Sequence, residues 1–489
     1  MIVKNNNRIR AVLTLCLCGI LTTLLSASCC SAPVVPDTGL FSPDYNGVTV
    51  PYNIAPLNFC VDGTAMRHAR VEVVGESAAL HVRARNGRVM FPIRQWHRLL
   101  EAEKGHALRV MVHGKDDAQC SFVFDVSSDP IDSYITYRLI DPSFEVWHKV
   151  EIRERNLTDF SERVLSDWKH TDNSCMNCHT HGGAHGDLSF FHLRGTGGGT
   201  ILNRDGTLRK LTLKTDSMTV AATYGDLHPS GRYGVYSWNS VIPTLRFLGS
   251  QRMEIYDNAS DLLVADFDSN RILFSPLTSG SDVLETFPTF APDGRSITFC
   301  RASSNVLPDS IASIHYSLVR IPFNPATGEQ GDTIEILWDG AVEKGSASFP
   351  KYSPDGRFLL FCRSDFGTFP IWHRETRLQM LDMTSGKVNT LDTLAEANAS
   401  STYHSWSSDG RWIAFASKRG DGQFGRVWLA HIDAQGTASR PFMLPQRDPE
   451  HDRLCMKSFN IPDLGDAPVP FDARTIGAMR KNVEAELFK

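Results

Sequence analysis

One short stretch of the 489-residue sequence combines the side chains that could attach a redox group. Cys175, Cys178 and His179 form the pattern Cys-Met-Asn-Cys-His. Two thiols at this spacing can bond to the two vinyl groups on one edge of a porphyrin, and the imidazole then lies where it can bind the iron. In a chain with 11 Cys and 17 His the pattern arises by chance roughly 0.009 times. It therefore predicts one covalent haem c with His179 as iron ligand.

Two other chemistries could use the same side chains. A tetrahedral zinc site could combine Cys175 and Cys178 with His179, His181 or His185, since sulfur and imidazole both suit zinc. The two cysteines could also form a disulfide, although the loop between them is tight and strained. No second cysteine pair lies nearby in the sequence to complete a zinc site. Haem attachment is therefore the favoured interpretation.

The ligand on the opposite face of the iron depends on chain reach. His181 follows His179 too closely to pass round the porphyrin edge at about 3.5 Å per residue, and His185 could barely do so. His192 is thirteen residues beyond His179 and has ample chain. We expect His192 to be the sixth ligand, with an open or water-filled position as the alternative. A hydrogen-bonded His192 packed at a domain junction would have no role at the iron.

The N-terminus has the pattern of an export signal. Basic residues, an apolar run over 11–25 and small residues at 26–28 precede Cys29. This resembles a bacterial lipoprotein signal, which implies acylation of Cys29; ordinary cleavage near Ser28 or Ala32 is the alternative. We expect a lipid-anchored protein of a Gram-negative cell envelope, facing the periplasm or in the outer membrane. Export agrees with the motif, because bacterial haem c is attached outside the cytoplasm.

Changes in sequence pattern divide the chain into regions. Residues 1–28 are the signal peptide, 29–47 a tether, and 48–130 a β-sandwich-like domain with period-two alternation and one short helix in "PIRQWHRLLEAEKG". Residues 131–197 form the haem-binding segment. There, "NLTDFSERVLSDW" predicts a helix, and the stretch rich in Gly and His after it predicts a loop wrapped around a ligand.

An internal repeat predicts the fold of the C-terminal half. Four copies of a turn-and-strand pattern align on Gly231, Gly294, Gly356 and Gly410. Repeated units of short strands indicate a β-propeller, here of about six blades over 198–464, with "MKSFNIPDL" as the strand that closes the ring. His228 and His404 precede turns at comparable positions, which favours a fold requirement over a ligand set. Residues 465–489 form a C-terminal tail with a helix, and the fold class is mainly β.

The repeats resemble the TolB-type propeller. Together with "YRLIDPSFEVW", "CMNCH", "FHLRGTGGGT" and "LPQRDPEHD", they resemble a family of bacterial envelope lipoprotein cytochromes that have a sandwich, one c-haem motif and a TolB-like propeller. This resemblance supports the architecture more than any activity, because propellers have many functions.

The predicted function is electron transfer by a monohaem c-type cytochrome, with the propeller as docking scaffold for a redox or envelope protein partner. A haem-dependent oxidoreductase with an open iron site, or a propeller interaction module with a structural haem, are the alternatives. No catalytic residues stand out, which favours an electron-transfer or binding protein over a hydrolase or transferase. The sequence has no basic stripe and no standard nucleic-acid-binding signature, which argues against a nucleic-acid partner.

Overall fold

The computed structural model of the protein describes residues 39–141, 149–216, 218, 220–244, 254–304 and 310–489. The predicted signal peptide, Cys29 and the first part of the tether lie outside these residues. Across these ranges, every helix is too short or too polar to cross a lipid bilayer.

The N-terminal part consists of two sheets and a helix. Its strands are β1 Phe41–Ser42, β2 Thr49–Pro51, β3 Phe59–Val61, β4 Arg70–Val74, β5 Ala79–Arg83, β6 Arg88–Val89, β7 Ala107–His113 and β8 Gln119–Ser127, and helix α1 is Ile93–Ala102. The sheets have the orders β1-β3-β6 and β2-β8-β7-β4-β5. The period-two alternation therefore predicted strands correctly, and the predicted short helix is α1.

Aromatic side chains join these two sheets. The ring centroids of Phe41 and Phe122 lie 4.9 Å apart, and those of Phe59 and Phe122 lie 5.4 Å apart. Phe41 and Tyr45 are buried in the same core. The predicted tether over 29–47 is therefore wrong for its last residues, because burial of these aromatic side chains fixes the chain from about Phe41 onward.

The rest of the described chain consists mainly of short strands. The first are β9 Tyr134–Ile140, β10 Glu151–Asn156, β11 Glu162–Asp167, β12 Met176–Gly182, β13 His185–Leu193, β14 Gly199–Arg204, β15 Thr207–Thr212, β16 Tyr224–Leu227, β17 Tyr233–Thr244, β18 Glu254–Asp266, β19 Arg271–Leu273, β20 Val283–Phe290 and β21 Ser296–Ser303. The remaining elements are β22 Ser317–Asn324, β23 Glu329–Gln330, β24 Glu335–Trp338, β25 Ser346–Tyr352, β26 Phe358–Ser364, β27 Arg377–Asp382, β28 Val388–Thr390, β29 Ser401–Trp406, β30 Trp412–Ser417, β31 Arg426–His431, β32 Phe442–Met443, α2 His451–Leu454, β33 Ser458–Gly465, α3 Ala473–Asn482 and β34 Glu486–Leu487.

These strands form a closed ring of six antiparallel sheets, which is a propeller-like arrangement. Five sheets follow the chain order, starting with β12, β16, β20, β25 and β29, and the sixth has the order β11-β10-β9-β33. The sheets that start with β16 and β20 are joined by one parallel residue pair, Ser260 with Leu284, and so form a continuous nine-stranded sheet. The first strand of each sheet contacts the first strand of the next, and β33 contacts both β29 and β12. Strand β33 therefore closes the ring by pairing with β9, as the sequence predicted for "MKSFNIPDL". We call β12, β16, β20, β25, β29 and β33 the inner strands.

The four aligned glycines occupy the turns that the repeat predicted. Gly231, Gly294, Gly356 and Gly410 have φ of 68°, 68°, 72° and 69°. This left-handed conformation is accessible to glycine at low cost, and in each copy a strand follows the turn. The predicted helix in the C-terminal tail is α3, which begins after Asp472, whose side chain accepts a hydrogen bond from the Thr475 N–H at 2.9 Å.

The helix predicted from "NLTDFSERVLSDW" is wrong, because this stretch forms the β10–β11 hairpin. Asn156 Oδ1 accepts from the Thr158 N–H at 2.7 Å, and Asp159 Oδ1 accepts from the Ser161 N–H at 2.8 Å. Phe160 between them has φ of 66°. The residues that indicated a helix start therefore stabilise a tight turn instead.

The predicted ligand-wrapping loop is also wrong, because its residues form the β12–β13 hairpin. Gly183 and Ala184 make the turn with φ of 63° and 66°. A Cβ atom at Gly186 would collide with the carbonyl oxygen of Ala467. The glycines thus serve a tight turn and a close backbone approach. The predicted domain boundary after residue 197 lies between β13 and β14, which pair with each other, so it divides one sheet.

Candidate functional site

Five of the six inner strands contain the same irregularity near the middle of the ring. At each one the pairing register slips, and one non-glycine residue adopts a positive φ between 48° and 56°. These residues are Cys178, Phe287, Phe349, Tyr403 and Ile461. Each follows an Asn, Ser or Thr, and each precedes a Pro or a His. We call this feature the inner-strand bulge. The second half of the Cys-x-x-Cys-His pattern is therefore the bulge of β12.

The bulge residues lie close together at the centre of the ring. The ring centroids of Phe287 and Phe349 are 3.9 Å apart, and those of Phe349 and Tyr403 are 4.8 Å apart. Tyr224, on the inner strand without a bulge, lies 4.8 Å from Phe287. The charge on a Cys178 thiolate would raise the pKa of both Tyr224 and Tyr403, which places this thiol beside the aromatic cluster. Cys178 thus completes a packed centre.

The two cysteines of the pattern have different environments. Cys178 is 7% exposed, and burial raises the pKa of its thiol to about 11, against the opposing charges of Arg194 and Arg138. Cys175 is half-buried just before β12, and its carbonyl oxygen accepts from the Arg194 N–H at 2.9 Å. Both are thiols in this structure rather than a disulfide.

His179 is a buried histidine with no hydrogen bond to its ring. It is 5% exposed, and both Nδ1 and Nε2 are buried without a partner. Burial lowers its pKa to about 3, and the charges of His181 and Arg138 act in the same direction. The imidazole is therefore neutral, which is the form that binds metal ions.

The other buried histidines of the described residues differ from His179. Each has contacts from both ring nitrogens to polar atoms: His181, His192, His228, His373 and His404. Buried polar groups without partners are uncommon in native proteins and call for an explanation. The unpaired ring of His179 is therefore the main chemical anomaly of the motif.

His404 occupies the same bulge position as His179 and shows what the fold alone provides. Its Nε2–H donates to the carbonyl oxygen of Leu360 at 3.0 Å, and Nδ1 lies 3.7 Å from Cys362 Sγ. By strand register, Thr136 is the equivalent of Leu360. The backbones of Ile461 and Thr136 both lie near the ring of His179, but neither makes a hydrogen bond of good geometry with it. The fold explains where the ring of His179 lies, but not why it is unpaired.

His192 does not offer a free nitrogen for the predicted role of sixth ligand. Its Nε2–H donates to the carbonyl oxygen of Thr223 at 2.7 Å, and Nδ1 accepts from the Thr200 hydroxyl at 2.8 Å. It is 6% exposed and lies opposite Asn177 in the sheet. His192 therefore has the environment of the non-functional alternative, a hydrogen-bonded histidine packed between two sheets.

The remaining histidines of the motif region are also engaged. His181 Nδ1–H donates to the Leu464 carbonyl oxygen at 3.2 Å, and Nε2 accepts from the Thr136 hydroxyl at 3.4 Å. His185 is exposed, and its Nδ1 lies 2.8 Å from Asp466 Oδ2. Among the residues that the structure describes, no three His, Cys, Asp or Glu side chains are grouped as metal ligands. The zinc alternative therefore has no closed ligand set in these ranges.

The donors of the motif fit a covalently attached haem. Such a group requires two reduced thiols and one neutral imidazole, and only the imidazole binds the metal, so a cluster of three metal ligands is not required. Cys175 and Cys178 are thiols, and the His179 ring is neutral and has no protein partner. The thiols and the imidazole of the motif are therefore suited to covalent haem attachment.

Reasoning from the sequence missed the inner-strand bulge, although a signal was present. The residues seven positions before the four aligned turn glycines are Tyr224, Phe287, Phe349 and Tyr403. A longer alignment would have shown this aromatic column. The bulges of β12 and β33 would still have been missed, because neither strand is followed by the same turn.

Comparisons with known proteins add no family. No family model matches the chain, and no curated protein matches it. An oligogalacturonate lyase from Vibrio parahaemolyticus is 14% identical over 64% of this chain and 73% of its own, with a TM-score of 0.35. A hypothetical selenium-binding protein from Sulfolobus tokodaii is 10% identical over 71% and 96%, with a TM-score of 0.43. These scores are low, so the propeller arrangement rests on the strand pairing described above.

The environments of the two motif thiols predict different reactivities in protein prepared without haem. At pH 8, iodoacetamide should alkylate Cys175 much faster than Cys178, by about 100-fold or more, because a thiol with its pKa raised to about 11 is almost entirely protonated. Peptide mass spectrometry after timed labelling measures both rates. In guanidinium chloride the two rates should converge. Equal rates in the folded protein would contradict burial of Cys178 at the centre of the ring.

Proposed function

We propose that this chain binds one haem covalently through Cys175 and Cys178, with His179 as iron ligand, and carries electrons as a c-type cytochrome. The observation that supports this most is the buried ring of His179, whose two nitrogens lack protein partners. A bound haem would supply a centre that takes up and gives back one electron. His179 contributes a neutral nitrogen, and the closed ring around it excludes water.

The matched histidine of another sheet strengthens this proposal. His404 lies at the same bulge position and uses Nε2 to bond the Leu360 carbonyl oxygen. A bulge histidine therefore has a bonding partner available where only packing is required. His179 lacks that bond, and it directly follows the second cysteine of the attachment pattern. A nitrogen left for a metal explains both facts.

The location of the protein is part of the same proposal. The N-terminal pattern supports export and acylation at Cys29, which would hold the protein at the membrane of a Gram-negative cell envelope, as in the lipoprotein cytochromes that the sequence resembles. The propeller and the N-terminal sheets would then be the scaffold on which a redox or envelope protein partner docks. This docking role rests on the architecture alone, and propellers have many different functions in unrelated proteins.

A second candidate function follows from the contacts of His192. Both of its nitrogens are engaged, by Thr200 and by the Thr223 carbonyl oxygen. If His192 keeps these bonds, it leaves the sixth iron position open. A haem-dependent oxidoreductase, in which a small molecule reacts at that position, is therefore the second candidate.

Haem attachment can be tested with cysteine variants. Protein produced with a c-haem assembly system should show one covalent haem, detected by haem staining after denaturation. Cys175→Ala with Cys178→Ala should abolish the stained band, because no thioether can form. Cys300→Ala with Cys362→Ala is the matched control, since these buried thiols lie on strands of other sheets, and it should keep the band. An apoprotein mass for the unmodified chain from a competent host would contradict the proposal.

The two candidate functions differ in their response to carbon monoxide. We expect the absorption spectrum of the reduced, haem-loaded protein to shift on addition of carbon monoxide, because His192 would have to give up two hydrogen bonds to occupy the sixth position. That shift would show an open sixth position, which the oxidoreductase requires and which electron transfer permits. A spectrum unchanged by carbon monoxide would show that a protein side chain occupies the sixth position. The open-site oxidoreductase would then be excluded, and electron transfer would remain.

A further inference from the structure

Arg138 is an exceptional residue at a position repeated around the ring. It lies on β9 opposite Asn460, the residue that precedes the bulge of β33. The equivalent residues opposite the other four bulges are His192, Cys300, Cys362 and Ala416. All four are buried, and none carries a permanent charge. A guanidinium group at this position is therefore not a requirement of the fold.

The strand directions place Arg138 level with His179. Thr136 and Arg138 lie on the same face of β9, because side chains alternate along a strand. Thr136 contacts His181 of β12 through its hydroxyl at 3.4 Å. Strand β9 is antiparallel to β33, and inner strands of neighbouring propeller sheets run in the same direction, so β9 and β12 run in opposite directions. Arg138 lies two residues after Thr136, and His179 lies two residues before His181. In this antiparallel arrangement Arg138 therefore faces His179.

The junction between β26 and β29 is the equivalent of the β9–β12 junction and supports this placement independently. There, His404 is the equivalent of His179, and Cys362 is the equivalent of Arg138. His404 Nδ1 lies 3.7 Å from Cys362 Sγ. The same geometry at the β9–β12 junction brings the guanidinium group of Arg138 beside the ring of His179.

Arg138 has no anionic partner in the described part of the chain. No Asp or Glu oxygen of those residues lies within 4.0 Å of it, its guanidinium group makes no hydrogen bond, and its Nε is buried without a partner. A half-buried cation without a counter-ion is costly, and the planar fork of arginine matches a carboxylate. The arrangement points to a carboxylate ligand.

We propose that Arg138 binds a carboxylate of the haem, an inference that rests on the haem attachment proposed above. Haem has two propionate carboxylates. The guanidinium group of Arg138, beside the proposed iron ligand His179, would neutralise one of these propionates.

The test is the midpoint potential of the haem-loaded protein. Arg138→Gln should keep the covalent haem, because both thiols remain, but its potential should shift lower, because removal of a positive charge favours the oxidised iron. Arg138→Lys should keep most of the unmodified potential. Arg295→Gln, an exposed change in the turn after Gly294, is the control and should leave the potential unchanged. Spectroelectrochemical titration measures all four proteins.

The outcomes separate this inference from the proposed function. Covalent haem with the same potential in Arg138→Gln as in the unmodified protein would overturn the role of Arg138 and leave the cytochrome proposal standing. Absence of covalent haem from the unmodified protein would overturn both. If Arg138→Gln does not fold, Arg138→Met decides, since it removes the charge and keeps an apolar stem of similar length: a lower potential supports the bound carboxylate, and an unchanged potential overturns it.

Discussion

The pairing of β33 with β9 is the constraint on which the rest of the structure depends. Residues 458–465 return to pair with residues 134–140, and this contact completes a sheet of which the other three strands come from the start of the ring. Without this pairing, β9 would present an unpaired edge on the inner side of its sheet. It also brings β9 against β12, so the junction that contains His179 and Arg138 exists only in the closed ring.

The closed ring gives the motif a setting different from the one that its pattern suggested. Cys178 and His179 lie in a strand bulge, at the position that other sheets fill with Phe-Pro, Ile-Pro or Tyr-His. In the proposed cytochrome, Cys178 would have to bond its haem before β33 completes the ring, because the closed ring buries its thiol. Haem attachment and folding would then be coupled, because the Cys178 thiol is accessible only until β33 pairs with β9.

The sequence predicted the repeated features of the fold and missed those that arise from long-range pairing. The conformation of Gly231 and its three equivalents followed from local turn chemistry, and β33 followed from its place at the end of the repeats. The predicted helix over "NLTDFSERVLSDW" failed because Asn156 and Asp159 bond to backbone N–H groups within a turn, a choice that local pattern alone does not decide. His192 had the reach of a ligand, but its partners Thr200 and Thr223 are visible only in the folded sheets. Arg138 could not be singled out from sequence, because its partner strand lies more than 300 residues away.

The central claim is that the ring of His179 remains unpaired because it binds iron, whereas the ring of His404 at the same bulge position is engaged by the protein. The most direct measurement is the absorption spectrum of the reduced, haem-loaded protein after His179→Ala and, separately, after His404→Ala. The account predicts that His179→Ala keeps the covalent haem but changes the spectrum through loss of an axial nitrogen, while His404→Ala leaves the spectrum unchanged. A His179→Ala spectrum identical to that of the unmodified protein would contradict the account.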